Sequence, residues 1–183
     1  NINLRCADRV MLVMGQFQVY SFEELFDKTY ELPWEKWINR DGKFTVKGKS
    51  VKSKLYSTPD CQSIVKKAIS KKLCEEYNVE WMPETGAEYT VHISIHKDMA
   101  TLSIDTTGAR EGLFKRGYRE KSLEAPLKET MAAALVKLSF WNKDRVLYDP
   151  MCGSGTIAIE AALMGRNIAP GLNRSFASQR WPM

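Results

Sequence analysis

The sequence predicts a mixed α+β module over residues 1–120, followed over residues 121–183 by the opening of an α/β domain. Three observations predict this. The alternating segments "EYTVHISIH" and "MATLSIDTT" are joined by a polar "KD", which is the signature of a β-hairpin. Segments with apolar residues at helical spacing precede that hairpin. After residue 120 the order becomes helix, short apolar run, glycine loop and helix, which is how an α/β domain begins.

The elements follow in order. "RVMLVMGQFQV" is an apolar run with β-branched and aromatic members, a strand. "YSFEEL" starts a helix with Ser21 as N-cap, Glu24 as the capping-box partner, and Tyr20 and Leu25 placed as a staple. That helix runs to about Glu31 and stops before Pro33. "PWEKWI" reads as one more turn, with Trp34 and Trp37 inward. Asp41-Gly42 marks a turn, and "KFTVKGKSVKSK" alternates Phe44 and Val46 with lysines, a strand with a basic face. Thr58 caps the next helix with Pro59 at its first position, and Cys61, Val65, Ala68 and Ile69 form its apolar stripe. Lys66, Lys67 and Lys71 fall off the stripe; Lys72 lies near it, with its stem snorkelling. His92 and His96 share a face of the first hairpin strand. No third ligand stands at a suitable spacing, so no metal is expected, and they read as surface or half-buried imidazoles. Further on, "APLKETMAAALVKLSFW" is a helix with Pro126 near its start, "RVLYD" a short buried strand, and "TIAIEAALMG" a helix closed by Gly165.

Composition narrows the function classes. The chain has 183 residues, 44% hydrophobic and 27% charged, enough for one large or two small domains. No apolar stretch approaches the ~20 residues of a membrane span. Cys6, Cys61, Cys74 and Cys152 form no CxxC pair and read as reduced, mostly buried thiols of a cytoplasmic protein. The net charge of +5 is uneven: residues 43–72 hold nine lysines and one acid, Asp60. "GAREGLFKRGYREK" adds Arg110, Lys115, Arg116, Arg119 and Lys121, interleaved with Phe114 and Tyr118. Basic segments of this kind attract polyanions, and aromatics can stack on unpaired bases. The competing reading of the lysines is a solvated face, and that of Phe114 and Tyr118 is packing between domains.

The chemistry-bearing stretch is "DPMCGSGTIAIEAAL". A loop between a strand's C-terminal end and a helix N-terminus is a natural ligand site in α/β folds, and Gly153 and Gly155 let the backbone approach a ligand. A Walker loop is excluded because Gly155-Thr156 lacks the lysine. Gly153, Gly155 and Ala158 fit a dinucleotide fingerprint, and the same loop suits the amino-acid tail and adenosine of S-adenosylmethionine. Both readings want an acid downstream for the ribose, and none occurs after Glu160. Spacing leaves the two open, beside a tight turn that binds nothing.

Taken with "NLRCADRV", "FKRGYR", "EAPLKETMAAAL" and "IAPGLNR" in this order, the loop resembles the class I RNA methyltransferases with an upstream THUMP domain, in particular the subgroup that makes N2-methylguanine in RNA. The likeness covers nearly the whole chain. It implies an α+β THUMP/ferredoxin-like RNA-binding module over 1–120 and the N-terminal part of a Rossmann-like methyltransferase domain over 121–183. It implies S-adenosylmethionine as cofactor, on Asp149, Pro150, Cys152, Gly153, Ser154, Gly155 and Thr156, with Pro126, Leu127 and Lys128 closing over it. The partner implied is RNA, with ribosomal ranked ahead of transfer RNA; the uneven charge puts Lys47, Lys49, Lys52, Lys54, Lys66, Lys67, Lys71, Arg110, Lys115, Arg116 and Arg119 on it. The family's Asn-Pro-Pro-Tyr-type catalytic motif and its ribose acid are absent, so the catalytic residues are expected beyond Met183, in a longer protein clipped here at both ends. Two other functions stay open: an RNA-binding module alone, and a dinucleotide-dependent enzyme.

Overall fold

A computed structural model describes residues 1–108, 112–119 and 126–182. Four strands form one sheet in the order β1-β4-β3-β2: β1 (Met11–Gln18), β2 (Lys43–Val51), β3 (Glu88–His96) and β4 (Met99–Asp105). β4 pairs antiparallel with β1 and β3, while β2 lies parallel to β3 at the edge. The β3–β4 hairpin turns on Lys97 and Asp98, with φ of 51° and 62°. Positive φ at both central residues matches the twist of the flanking strands. The parallel β2–β3 pair needs a crossover, and α2 (Thr58–Glu76) supplies it.

α1 (Phe22–Tyr30) is capped as the sequence predicts: Ser21 Oγ accepts from Glu24 N at 3.2 Å. The return bond comes from Tyr20 N to Glu24 Oε2, 2.8 Å, one residue ahead of the cap. The turn after Pro33 is a single 3-10 turn, Trp34–Lys36. Trp34 is buried, but Trp37 is 38% exposed, contrary to expectation. Ile38 N donates to Trp34 O at 2.9 Å, and this closure places Ile38 in the core instead. In α2, Cys61 N donates to Ser57 O at 3.1 Å. The N-cap is therefore Ser57 rather than Thr58, with Pro59 in the first turn. Cys61, Val65, Ala68, Ile69 and Leu73 are buried along its inner face. They meet Phe44 of β2, alternate residues of β3 (Tyr89, Val91, Ile93, Ile95) and of β4 (Ala100, Leu102, Ile104).

These elements make one compact unit, Met11–Ala109, completed by Ala177–Met183. The returning segment carries a 3-10 turn, Ala177–Arg180. Ala177 N and Ser178 N donate to Thr107 O and Thr106 O, and the Trp181 ring stacks on Tyr89 with centroids 4.9 Å apart. The second unit comprises Asn1–Val10 and Arg110–Phe176. Its helices, α3 (Glu129–Leu138) and α4 (Thr156–Gly165), pack on each other.

Three expectations about this second unit fail. α3 begins at Glu129, three residues beyond the Pro126 expected near its start: Lys128 is the N-cap and Pro126 lies outside the helix. Gly165 is the last residue of α4 but not the residue that closes it: Arg166 is the C-cap and Asn167, φ 52°, follows in the left-handed region. Asn167 N donates to Met164 O and Ile168 N to Leu163 O, the pair of bonds that closes a Schellman motif with asparagine in the left-handed position. "RVLYD" is not a strand: Val146 is 95% and Tyr148 85% exposed. A strand exists only by pairing, and all four strands of the described sheet belong to the other unit.

Candidate functional site

Residues 149–156 turn the chain sharply into α4. Asp149 Oδ1 accepts from Met151 N at 3.2 Å, and Gly155 N donates to Cys152 O at 2.8 Å. Gly153 and Gly155 both lie in the left-handed region, φ 52° and 74°, where a side chain is strained. A Cβ added at Gly153 would meet nothing within 4 Å. The glycine there serves the backbone turn and leaves the loop surface open. Gly155 is also the N-cap of α4 and provides no side-chain cap, so the first-turn N–H groups face the loop without one. Ser154 Oγ and Thr156 Oγ1 lie 3.1 Å apart. An open, glycine-lined turn with an uncapped helix start fits the carboxylate tail or ribose of a nucleoside cofactor.

The stretch Arg116–Arg119 is built into this unit residue by residue. Arg116 is 3% exposed. Its guanidinium reaches Glu160 at 3.3 Å, Leu113 O at 2.9 Å and Leu4 O at 3.2 Å, and bonds Arg5 O as well. A Cβ on Gly117 would lie 2.1 Å from Asn173 O, so only glycine allows that approach. Tyr118 donates to Glu160 at 3.4 Å, and burial with the neighbouring Glu160 and Glu129 carboxylates pushes its phenol up to about 12. Arg119 pairs with Glu129 at 3.3 Å and donates to Thr156 Oγ1 at 2.8 Å. It thus ties the start of α3 to the start of α4. Glu160, fully buried, has its carboxyl raised above the usual range by burial, against the opposing pull of Arg116. The residues that sequence expected on RNA are therefore, for Arg116 and Arg119, committed to this network.

The two segments expected to hold the cofactor stand differently. Pro126, Leu127 and Lys128 line a cleft of about 650 Å³ together with Phe114, Lys115, Arg119 and Arg174. Residues 149–155 do not line it. What joins the two is Arg119, through Glu129 beside Lys128 and through Thr156 at the end of the glycine loop.

The lysines divide between two surfaces. On β2, Lys47 and Lys49 are exposed with Lys43 on the sheet face opposite Phe44. Lys66, Lys67 and Lys71 are exposed on the outer side of α2, away from its buried stripe. Lys66 pairs with Glu84 at 3.7 Å and Lys71 with Glu75 at 3.8 Å. Strand alternation and helix amphipathicity send the two sets to opposite sides of the layer, so they do not form one basic face. Lys52 and Lys54 follow β2 on an exposed loop. Arg110 lies outside the described residues. His92 is half-buried, 4.0 Å from Asp105, and His96 is exposed. Of the four free cysteines only Cys61 is buried; Cys6 and Cys152 are exposed, contrary to expectation. Among the described residues no helix is long and apolar enough to cross a membrane.

Sequence reasoning missed Glu160 and the first ten residues. Arg5 donates to Ile168 O at 2.7 Å, and Asp8 accepts from Thr130 Oγ1 at 2.7 Å. A single acid inside the apolar run "TIAIEAAL" was the available signal for Glu160, since a lone charge on a buried helix needs a partner.

The glycine turn, the helix it opens and the Arg116–Arg119 stretch that holds that helix's buried acid all fall within one family match. Residues 116–181 match the family UPF0020, described as RMKL-like, methyltransferase domain. Residues 19–105 match the THUMP domain. The chain thus joins a THUMP domain to RMKL-like methyltransferase-domain sequence. It is 55% identical over 183 residues to "Putative RNA methyltransferase YpsC" of Bacillus subtilis (strain 168), covering 99% of this chain and 47% of that protein. Among solved structures it is similar to "a predicted N6-adenine-specific DNA methylase" from Listeria monocytogenes (58% identity, TM-score 0.94, 98% of this chain and 47% of that one). It is also similar to SMU.472, "a putative methyltransferase complexed with SAH" (50% identity, TM-score 0.91, 98% and 48%). The chain spans about half the length of the relatives it matches.

Proposed function

We propose that the full-length protein moves a methyl group from S-adenosylmethionine to the N2 amine of a guanine in RNA, ribosomal rather than transfer RNA. The observation that carries the reading is the open turn at Gly153 and Gly155 against the uncapped start of α4, in sequence that matches a methyltransferase domain and follows a THUMP domain. The SAH-bound relative supports the cofactor, and the RNA methyltransferase name of another supports the substrate class. In this reading Asp149, Pro150, Cys152, Gly153, Ser154, Gly155 and Thr156 hold the cofactor, and Pro126–Lys128 close its other side. Bound there, the cofactor supplies an electrophilic methyl on sulfur. The chain's own part is placement: the glycine turn takes the cofactor's polar ends, and Arg119 fixes the start of α4 against α3. The guanine amine is a poor nucleophile, so rate comes from aligning its lone pair with the methyl and accepting a proton late. The base reaches that geometry flipped out or unpaired. In this reading the unit of Met11–Ala109 grips RNA, and the unit that carries the glycine turn opens the catalytic domain.

The test is nucleoside mass spectrometry on RNA from cells lacking the full-length protein, with methylation restored by purified enzyme and S-adenosylmethionine. Loss and recovery of N2-methylguanine is expected. N6-methyladenine, or methylation confined to DNA, overturns the substrate. A requirement for a nicotinamide or flavin dinucleotide overturns the cofactor.

A further inference from the structure

The loop between β2 and α2 holds an aromatic ring out to solvent on a rigid frame. Tyr56 is 84% exposed, while its neighbour Leu55 is buried in the core. The frame is tied at both ends. Ser50 Oγ donates to Leu55 O at 2.6 Å, Ser53 Oγ to Val51 O at 3.0 Å, and Asp98 N to Ser53 Oγ at 3.1 Å. Lys54 N donates to Asp98 Oδ1 at 2.7 Å, and Lys97 N to Val51 O at 3.2 Å. The β3–β4 turn thus clamps the loop. A large exposed ring on so fixed a backbone gains nothing for folding, yet it loses little freedom when something covers it.

Its surroundings are cationic. The sheet register brings the ends of β1, β2 and β3 to the same end as the loop. Lys52, Lys54 and Lys97 are exposed there, with the Lys54 ammonium 4.8 Å from the centre of the Tyr20 ring. Asp98 accepts from Lys54 N and keeps its charge, and Asp60 follows four positions after Tyr56, but Lys52, Lys54 and Lys97 outnumber them. Trp81 is a useful contrast: it is 77% exposed, but Glu80, Glu84 and Glu88 flank it in sequence, a setting that repels a polyanion.

We infer that Tyr56 is a stacking platform for an unpaired RNA base, with Lys52, Lys54 and Lys97 taking the phosphates on either side. This rests on the proposed RNA substrate and names the surface of the THUMP-containing unit that receives it. A ring contributes through its π-face whatever the base, whereas lysines act on phosphate and carry the salt dependence.

The experiment measures binding of the full-length protein to a labelled, unstructured RNA oligonucleotide across a salt series. Tyr56→Ala is expected to weaken binding about tenfold with an unchanged salt slope. Tyr56→Phe is expected to bind like the parent, and the Lys52→Ala, Lys54→Ala pair to flatten the slope. Equal affinity of Tyr56→Ala and parent overturns the platform while leaving the RNA reading intact. So does an equal loss in Tyr56→Phe, which would assign the effect to the hydroxyl. A parent that binds no RNA overturns the RNA reading and this inference with it.

Discussion

Glu160 and Arg116 show how much of this protein turns on single buried charges. Removing one partner leaves the other charged, dry and uncompensated, which costs about 3–5 kcal/mol. Glu160→Ala is expected to fall in that range in urea denaturation, whereas Glu160→Gln keeps an acceptor for Arg116 and Tyr118 and costs less. The pH dependence has a definite sign. Burial raises the folded carboxyl above its unfolded value, so the native state holds the proton to higher pH. The Glu160 contribution to stability is therefore greatest at low pH and declines as pH rises through and above the ordinary glutamate range. The parent should show that decline against Glu160→Gln, and parallel curves for the two proteins would contradict it. Arg119 acts at the same scale. Its two charge-assisted bonds span Glu129 and Thr156, and each such bond is worth about 1.5–3 kcal/mol. The double variant Arg116→Ala, Arg119→Ala should lower the melting temperature, the outcome for structural struts rather than RNA contacts. An unchanged melting temperature with lost RNA methylation would favour the contact reading. From sequence these arginines read as RNA ligands because a basic, aromatic-rich segment looks the same whether its charges meet phosphate or a distant acid.

At the scale of the element, legibility followed locality. The α1 cap, the α2 stripe and the hairpin turn depend on residues within a few positions of one another, and each stands where the sequence predicts it. Ser21→Ala should accordingly cost about 1 kcal/mol, measurable by chemical denaturation. The unit's core behaves likewise: Trp34→Ala, emptying a fully buried site, should cost about 3–5 kcal/mol. What failed needed non-local information. Residues 145–149 have a strand's composition, but pairing decides, and no neighbour is described beside them. The lysines alternate as expected, yet only the packed layer reveals that β2 and α2 present them to opposite sides. For the glycine turn, Gly153→Val adds a Cβ that meets nothing within 4 Å but strains a left-handed backbone, so its effect falls on the turn rather than on packing. In the full-length protein, calorimetry should show cofactor binding lost. Unchanged affinity would detach the loop from the cofactor.

For the whole molecule, the sequence suggested two blocks divided near residue 120, and composition gave no hint that the ends of the chain are shared out differently. Asn1–Val10 clusters with residues beyond 110, and Ala177–Met183 completes the THUMP-containing unit. Trp181 is the residue to test. It is buried against Tyr89, so Trp181→Ala should destabilise the unit holding the sheet by about 3 kcal/mol, read as a shifted thermal transition of that unit. A chain ending at residue 120 should show a loss at least as large, because it lacks the same ring and the Ala177 and Ser178 bonds.

The placement of Asn1–Val10 also sets an order of events during synthesis. Arg5 finds its acceptor on Ile168, 163 positions later, and Asp8 meets Thr130 after 122. At a translation rate of about 5–20 residues per second, Asp8 waits roughly 6–24 s for Thr130 and Arg5 roughly 8–33 s for Ile168. Meanwhile the four strands leave the ribosome as a nearly complete sheet. Until those partners emerge, residues 1–10 lack the bonds that hold them, and on the nascent chain they stay open to chaperones and proteases.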